Sequence, residues 1–171
     1  MKLELASGQR PTVGYVHNDL NAFDGIDIVS PAWEIDLPDN WFDEVIAIAF
    51  VEHLRYEQAT QTFANVRRLL KPGGSFVFDV PNLSEWCKYF NDPDAPFDRE
   101  YVLRTLYGWQ RWSGDEHKSG WTEELLHLYL TDAGFSHVEI QQVPTEWLKR
   151  DIYRFRFTRP KDDAHFYVLA R

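Results

Sequence analysis

The histidines at positions 53 and 117 are the side chains in this sequence best placed to move a proton near neutral pH, where the ordinary histidine pKa lies. His53 follows a nearly continuous apolar run, Phe42 to Phe50, and either points into a cleft or satisfies a backbone carbonyl. His117 sits in the loop Gly114-Asp115-Glu116-His117-Lys118-Ser119-Gly120 and is either a general base over a cleft or an exposed loop histidine. Asp19 closes the β-rich run Gly14 to Asn18. A carboxylate there accepts from two adjacent ligand hydroxyls, or from its own backbone in an Asx turn. Asp36, followed by Leu37, either accepts from an amino group beside an apolar cover or is a solvated loop acid. Gly8, after Ser7, lets a ligand approach bare backbone without meeting a Cβ.

These groups need elements to hold them. Leu3 to Ala6, Gly14 to Asn18 and Ile26 to Val29 read as three short strands, and Phe42 to Phe50 as a strand buried on both faces of a parallel sheet. Tyr56 to Leu70 places Ala59, Phe63, Val66, Leu69 and Leu70 at helical spacing on one apolar face, and Lys71-Pro72-Gly73-Gly74 stops that helix. Ser75 to Val80 resumes as a buried strand. Thr122 caps a helix over Glu124 to Leu130 that ends at Ala133-Gly134-Phe135, and strands follow at Val138 to Ile140 and Phe166 to Ala170. Ile152 to Phe157 alternates as an exposed antiparallel strand does. The pattern predicts one α/β domain over residues 1–171 with a doubly wound, mostly parallel sheet and an antiparallel C-terminal strand. Residues 84–120, broken by Pro and Gly and rich in aromatics, read as an irregular insertion on the substrate side. A doubly wound sheet binds its ligand at the carboxyl ends of its strands, which here are Ser7-Gly8, Asp19-Leu20, Asp36-Leu37, Phe50 to His53 and Pro81-Asn82.

Composition narrows the function. A formal charge of −9 disfavours nucleic acid as a partner, and the basic residues Lys149, Arg150, Arg154, Arg156 and Arg159 read as a solvated strand face. No stretch approaches the ~18 apolar residues of a membrane span, and no apolar leader precedes Leu3. Cys87 has no second cysteine to pair with, which suits the cytoplasm. No metal is expected.

The order of these features resembles class I S-adenosylmethionine (SAM)-dependent methyltransferases, in particular the small-molecule, type 11-like group. Leu70-Lys71-Pro72-Gly73-Gly74 resembles the family's stop after its central helix. Leu37-Pro38-Asp39-Asn40-Trp41-Phe42-Asp43 is similar to its loop between the third and fourth strands, and Glu52-His53-Leu54 to its Glu-His pair. Ala133-Gly134-Phe135 is similar to its stop before the sixth strand. The resemblance implies a Rossmann-like fold with SAM as cofactor, held by Ala6, Ser7, Gly8, Asp19, Leu20, Asp36, Leu37 and Phe50. Within that set Asp19 takes the ribose hydroxyls and Asp36 the adenine amino group. It implies a small-molecule acceptor, methylated on oxygen, with His117 and His53 as catalytic residues. Two features depart from the family. Ala6 stands where a glycine is common, and Gln9 to Val13 leaves the helix after the first strand missing or very short. A sheet face left bare in this way calls for cover by the Trp-rich insertion or by a homodimer. The same departures suggest, as an alternative, a catalytically silent binding or assembly module. A nicotinamide dehydrogenase is excluded, because no Gly-x-Gly-x-x-Gly turn opens a helix after Gly8.

Overall fold

The computed structural model describes residues 1–142 and 165–170. Its elements are β1 (Lys2–Leu5), β2 (Val16–Asp19), β3 (Ile28–Val29), β4 (Phe42–Ala47), α1 (Tyr56–Leu69), β5 (Leu70–Pro81), α2 (Leu83–Asn91), α3 (Arg99–Tyr107), α4 (Glu123–Asp132), β6 (Val138–Gln142) and β7 (His165–Ala170). They build one sheet in the order β3-β2-β1-β4-β5-β7-β6. The strands from β3 to β5 run parallel, and β7 is antiparallel to both β5 and β6. The expected doubly wound, mostly parallel sheet with its antiparallel C-terminal strand is borne out. The strand read over Ile152 to Phe157 and the basic residues between 149 and 159 lie outside the described residues.

The strands buried on both faces form the centre, as their apolar runs dictate. On one face Leu3, Leu5, Val45, Ala47, Phe76 and Phe78 pack under Ala59, Phe63 and Val66 of α1 and under Leu126 and Leu130 of α4. The ring of Phe63 lies 5.6 Å from that of Phe78 and 5.9 Å from that of Trp121, which is fully buried. Thr122 caps α4 by accepting from the Leu125 N–H.

Three boundaries differ from expectation. β4 ends at Ala47, because Ala49 takes φ 48° and turns the chain out of the sheet. β5 begins at Leu70, immediately after α1, so that Leu70 pairs with Phe42 before Lys71-Pro72-Gly73-Gly74 passes. The segment read as irregular holds α2 and α3, capped by the side chains of Asn82 and Asp98. They close around a hydrophobic cluster of their own, Trp86, Phe97 and Val102. Its prolines, Pro93 and Pro96, fall between the two helices, where they cost no helical hydrogen bond.

No helix joins β1 to β2. Buried Glu4 does the holding instead: its two carboxylate oxygens accept from the N–H and the hydroxyl of Thr12, each at 2.6 Å. His17 Nε2 lies 2.7 Å from the Thr12 carbonyl and closes the link from the other side. The missing helix leaves Val13, Leu20 and Val29 exposed at this edge. Among the described residues no helix is long and apolar enough to cross a membrane. Charge-assisted bonds of this kind stabilise by more than neutral ones. Glu4→Ala is therefore expected to lower unfolding free energy by about 1–3 kcal/mol, measured by urea denaturation.

Candidate functional site

The carboxyl ends of β1, β2, β3 and β4 surround a cavity of about 470 Å³. Two residues at the end of β2 shape its floor. Asn18, 1% exposed, accepts from the Ser7 N–H at 3.0 Å and donates to the carbonyls of Ile28 and Ser30, so one side chain and its backbone tie three strand ends together. Asp19, 8% exposed, accepts at Oδ2 from the Gly8 N–H at 3.0 Å and at Oδ1 from the Asn21 N–H at 2.8 Å. It forms the Asx turn and at the same time fixes the first loop beside the cavity it lines. Gly8 has φ 63°, which suits glycine, and the space a Cβ would enter there is open. Ala6, in the place where a glycine was expected, also has a positive φ, 49°. For a residue with a Cβ that conformation is strained by about 1–2 kcal/mol. Ala49 is strained in the same way on the opposite wall, and buried Asp79 at the end of β5 holds it by accepting from its N–H at 2.7 Å.

Of the residues chosen from sequence, Ala6, Ser7, Gly8, Asp19, Leu20, Phe50 and His53 line this cavity. Asp36 and Leu37 are not among its lining residues: Asp36 is exposed and Leu37 packs on the core. The chain reaches the cavity earlier, at Ser30, Ala32 and Trp33, where a 3₁₀ turn over Ala32–Glu34 follows β3. A short strand ending in Ser-Pro, Ile28 to Pro31, is the signal that marks this position.

The insertion forms the opposite wall, with Trp112, Gly114, Asp115 and Lys118. Buried Asp115 receives Arg111 through Nε at 2.9 Å and Nη2 at 3.1 Å, and the Arg111 guanidinium lies 4.2 Å over the Trp112 ring. Backbone bonds from Lys118 N–H (2.8 Å) and Ser119 N–H (3.2 Å) to the Glu52 carbonyl clamp the loop onto the segment after β4. The N–H of Glu116 itself, then that of Gly114, holds the Glu116 carboxyl below its ordinary value.

His117 is carried by this clamp. Its ring meets that of His53 edge to face with centroids 4.8 Å apart. Whereas His53 lines the first cavity, His117 lines a second, of about 310 Å³, with Tyr56, Leu83, Cys87, Leu106 and Tyr107. Lys118 borders both. The two histidines named from sequence therefore meet at the partition between two cavities.

Comparison with known proteins agrees with this geometry. Residues 6–78 match the family model described as a methyltransferase domain. A SAM-dependent methyltransferase from Archaeoglobus fulgidus superimposes with TM-score 0.60 at 18% identity, over 99% of this chain and 84% of that one. The 1,6-didemethyltoxoflavin-N1-methyltransferase of Burkholderia thailandensis, solved with bound 1,6-didemethyltoxoflavin and S-adenosylhomocysteine, gives TM-score 0.63 at 21% identity, over 99% of this chain and 69% of that one. No curated protein matches the sequence significantly. The resemblance to class I methyltransferases drawn from the motifs is borne out, and the fold is theirs.

The clamp depends on Gly108, which has φ 81° and lies so close to the loop that a Cβ would stand 2.1 Å from the Asp115 carbonyl. Gly108→Ala is expected to push the loop off Glu52 and to cost more than about 1 kcal/mol. Faster hydrogen exchange at the Lys118 and Ser119 amides would register the displacement.

Proposed function

We propose that this chain is a SAM-dependent methyltransferase that transfers a methyl group to a hydroxyl oxygen of a small molecule, with SAM in the larger cavity. The observation that carries the reading is Asp19, a nearly buried carboxylate that braces the Gly8 loop while lining a cavity at the strand ends. The residues present fit the cofactor. The volume lies within the ~300–1,000 Å³ of small-ligand sites. Backbone at Ala6, Ser7 and Gly8 suits the methionine end, and the Asp19 carboxylate suits the two ribose hydroxyls. Leu20, Phe50 and Trp33 offer apolar cover for the adenine, in the role that Asp36 and Leu37 were expected to take.

When bound, SAM supplies a methyl group on a positively charged sulfonium, whose loss leaves a neutral thioether. The chain's own contribution is positioning and proton transfer. The second cavity, walled by Leu83, Leu106 and Tyr107, receives the acceptor. His117 faces it, and His53 stands behind on the cofactor side; the pair takes up the proton that the hydroxyl loses as its oxygen forms the new C–O bond. The clamp at Glu52 and the Arg111–Asp115 pair keep the partition in place. A formal charge of −9 supports a small-molecule acceptor over nucleic acid, and single, exposed Cys87 supports the cytoplasm.

A homodimer is the second part of the reading, supported by Val13, Leu20 and Val29 exposed along the edge that lacks its helix. Sedimentation should then give twice the chain mass, and Val13→Lys with Val29→Lys should return it to the monomer.

Calorimetric titration with SAM and S-adenosylhomocysteine tests the function. Saturable binding is expected, weakened at least about tenfold, about 1.4 kcal/mol, in Asp19→Ala. Absence of binding by folded protein would defeat the reading in favour of a non-catalytic module.

A further inference from the structure

Beside the two histidines stands a third group that the proton-transfer reading leaves unused. Glu52 is 4% exposed, in a 3₁₀ turn over Val51–His53. One ligand atom from each of Glu52, His53 and His117 comes within 4.8 Å of the others. We propose that these three residues form a binding site for a single divalent transition-metal ion of the zinc class.

The donor set is the first argument. Two imidazoles and one carboxylate are borderline ligands, matched to Zn²⁺, Co²⁺ or Ni²⁺ and poorly to Mg²⁺ or Ca²⁺, which prefer oxygen alone. Three protein ligands with an open position is the arrangement of catalytic rather than structural zinc. The spacing is the second. With metal–ligand bonds of about 2.0–2.2 Å in tetrahedral geometry, two donors of one ion stand about 3.3–3.6 Å apart. Drawing the most widely spaced donors together therefore takes a little over about 1 Å, within the reach of side-chain rotations.

The support around the ligands is the third argument. His53 Nδ1 lies 3.1 Å from the Glu116 carbonyl, so Nδ1 carries the proton and Nε2 is the ring's lone-pair nitrogen. Metal-binding histidines are oriented in this way, by a carbonyl or carboxylate on the other ring nitrogen. Glu52 and His53 come from one turn and His117 from a distant loop, yet that loop is fastened to the Glu52 carbonyl through Lys118 and Ser119. The backbone thus holds the three donors in register without the ion. The sequence singles out His53 and His117 for proton transfer alone, because His117 lies more than sixty residues from Glu52 and His53 and only the fold brings the three together.

The site's chemistry rests on the methyl-transfer reading, though its existence does not. With an ion bound, both imidazoles become ligands, and the fourth position opens at the partition between the cavities. An acceptor hydroxyl coordinated there has its pKa lowered by the cation, so the proton assigned above to the histidines leaves more readily to solvent.

The test uses the full chain stripped of metal with a chelator. Titration with Co²⁺ should raise a visible d–d absorption that saturates at one equivalent, and Zn²⁺ should displace it. His117→Ala and Glu52→Gln should each weaken Co²⁺ binding at least about tenfold, while His127→Ala, on the exposed side of α4, should leave it unchanged. His117 is half-buried in a loop, so His117→Ala decides the matter should Glu52→Gln not fold. Absence of a saturable band, or equal affinity in His117→Ala, overturns the proposal. Titration of SAM in the presence of chelator separates the two readings: cofactor binding without Co²⁺ binding defeats the metal site and leaves the methyltransferase standing.

Discussion

The end of β2 is the point on which the rest of the site depends. In a doubly wound sheet the helix after β1 ordinarily carries the chain across one face and presents its N-terminus to the ligand. Here ten residues, 6–15, make the crossing without a helix. The strand ends must then be held by Asn18 and Asp19, the first accepting from Ser7 at its backbone carbonyl and donating to Ser30 from its side chain, the second accepting from Gly8 at its carboxylate. Both are buried, so their hydrogen bonds form in a medium where leaving a partner unpaired costs about 1–3 kcal/mol. That penalty fixes the first loop as a helix otherwise would. Glu4 extends the same logic to the far end of the link, where it captures Thr12.

The consequence for ligand binding is a division of labour. A helix N-terminus offers several N–H groups and a partial positive charge, whereas this loop offers bare backbone at Gly8 and the acidic edge of Asp19. Such a site suits the hydroxyls and the positively charged end of a nucleoside sulfonium better than a pyrophosphate. The strain at Ala6 and Ala49 belongs to the same design. Positive φ at both positions turns the chain sharply at the cavity rim, and each turn is held from the side, by the Ser7–Asn18 bond on one wall and the Asp79–Ala49 bond on the other.

What could be read from the sequence follows the strength of the local signal. The centre, from β4 through α1 to β5, combines a long apolar run, a strict helical face and a Pro-Gly stop, and each is dictated by burial. Strand ends were therefore readable, and with them Ser7, Gly8, Asp19, Phe50 and His53. Asp36 illustrates the limit: an acid in a loop looks the same whether or not the loop faces a ligand, and the placement of Ser30 and Trp33 is decided by where β3 stops. The insertion was read as irregular because its helices are nine residues each, with Pro and Gly close to both. Helices that short draw their stability from packing, here the Trp86–Phe97–Tyr101 cluster, rather than from a long periodic face.

The insertion earns its place through the partition it builds. Trp121, buried and bonded through Nε1 to Ser119 at 2.9 Å, anchors the loop's far end in the main core beside Phe63. Gly108 and the Arg111–Asp115 pair brace its near end. Between those anchors the loop has little freedom, because Lys118 and Ser119 are bonded to Glu52. Three anchors thus position the segment that borders both cavities. The core that stabilises the fold thereby also sets where His117 stands against His53 and Glu52, so chemistry at the partition is coupled to packing at Trp121.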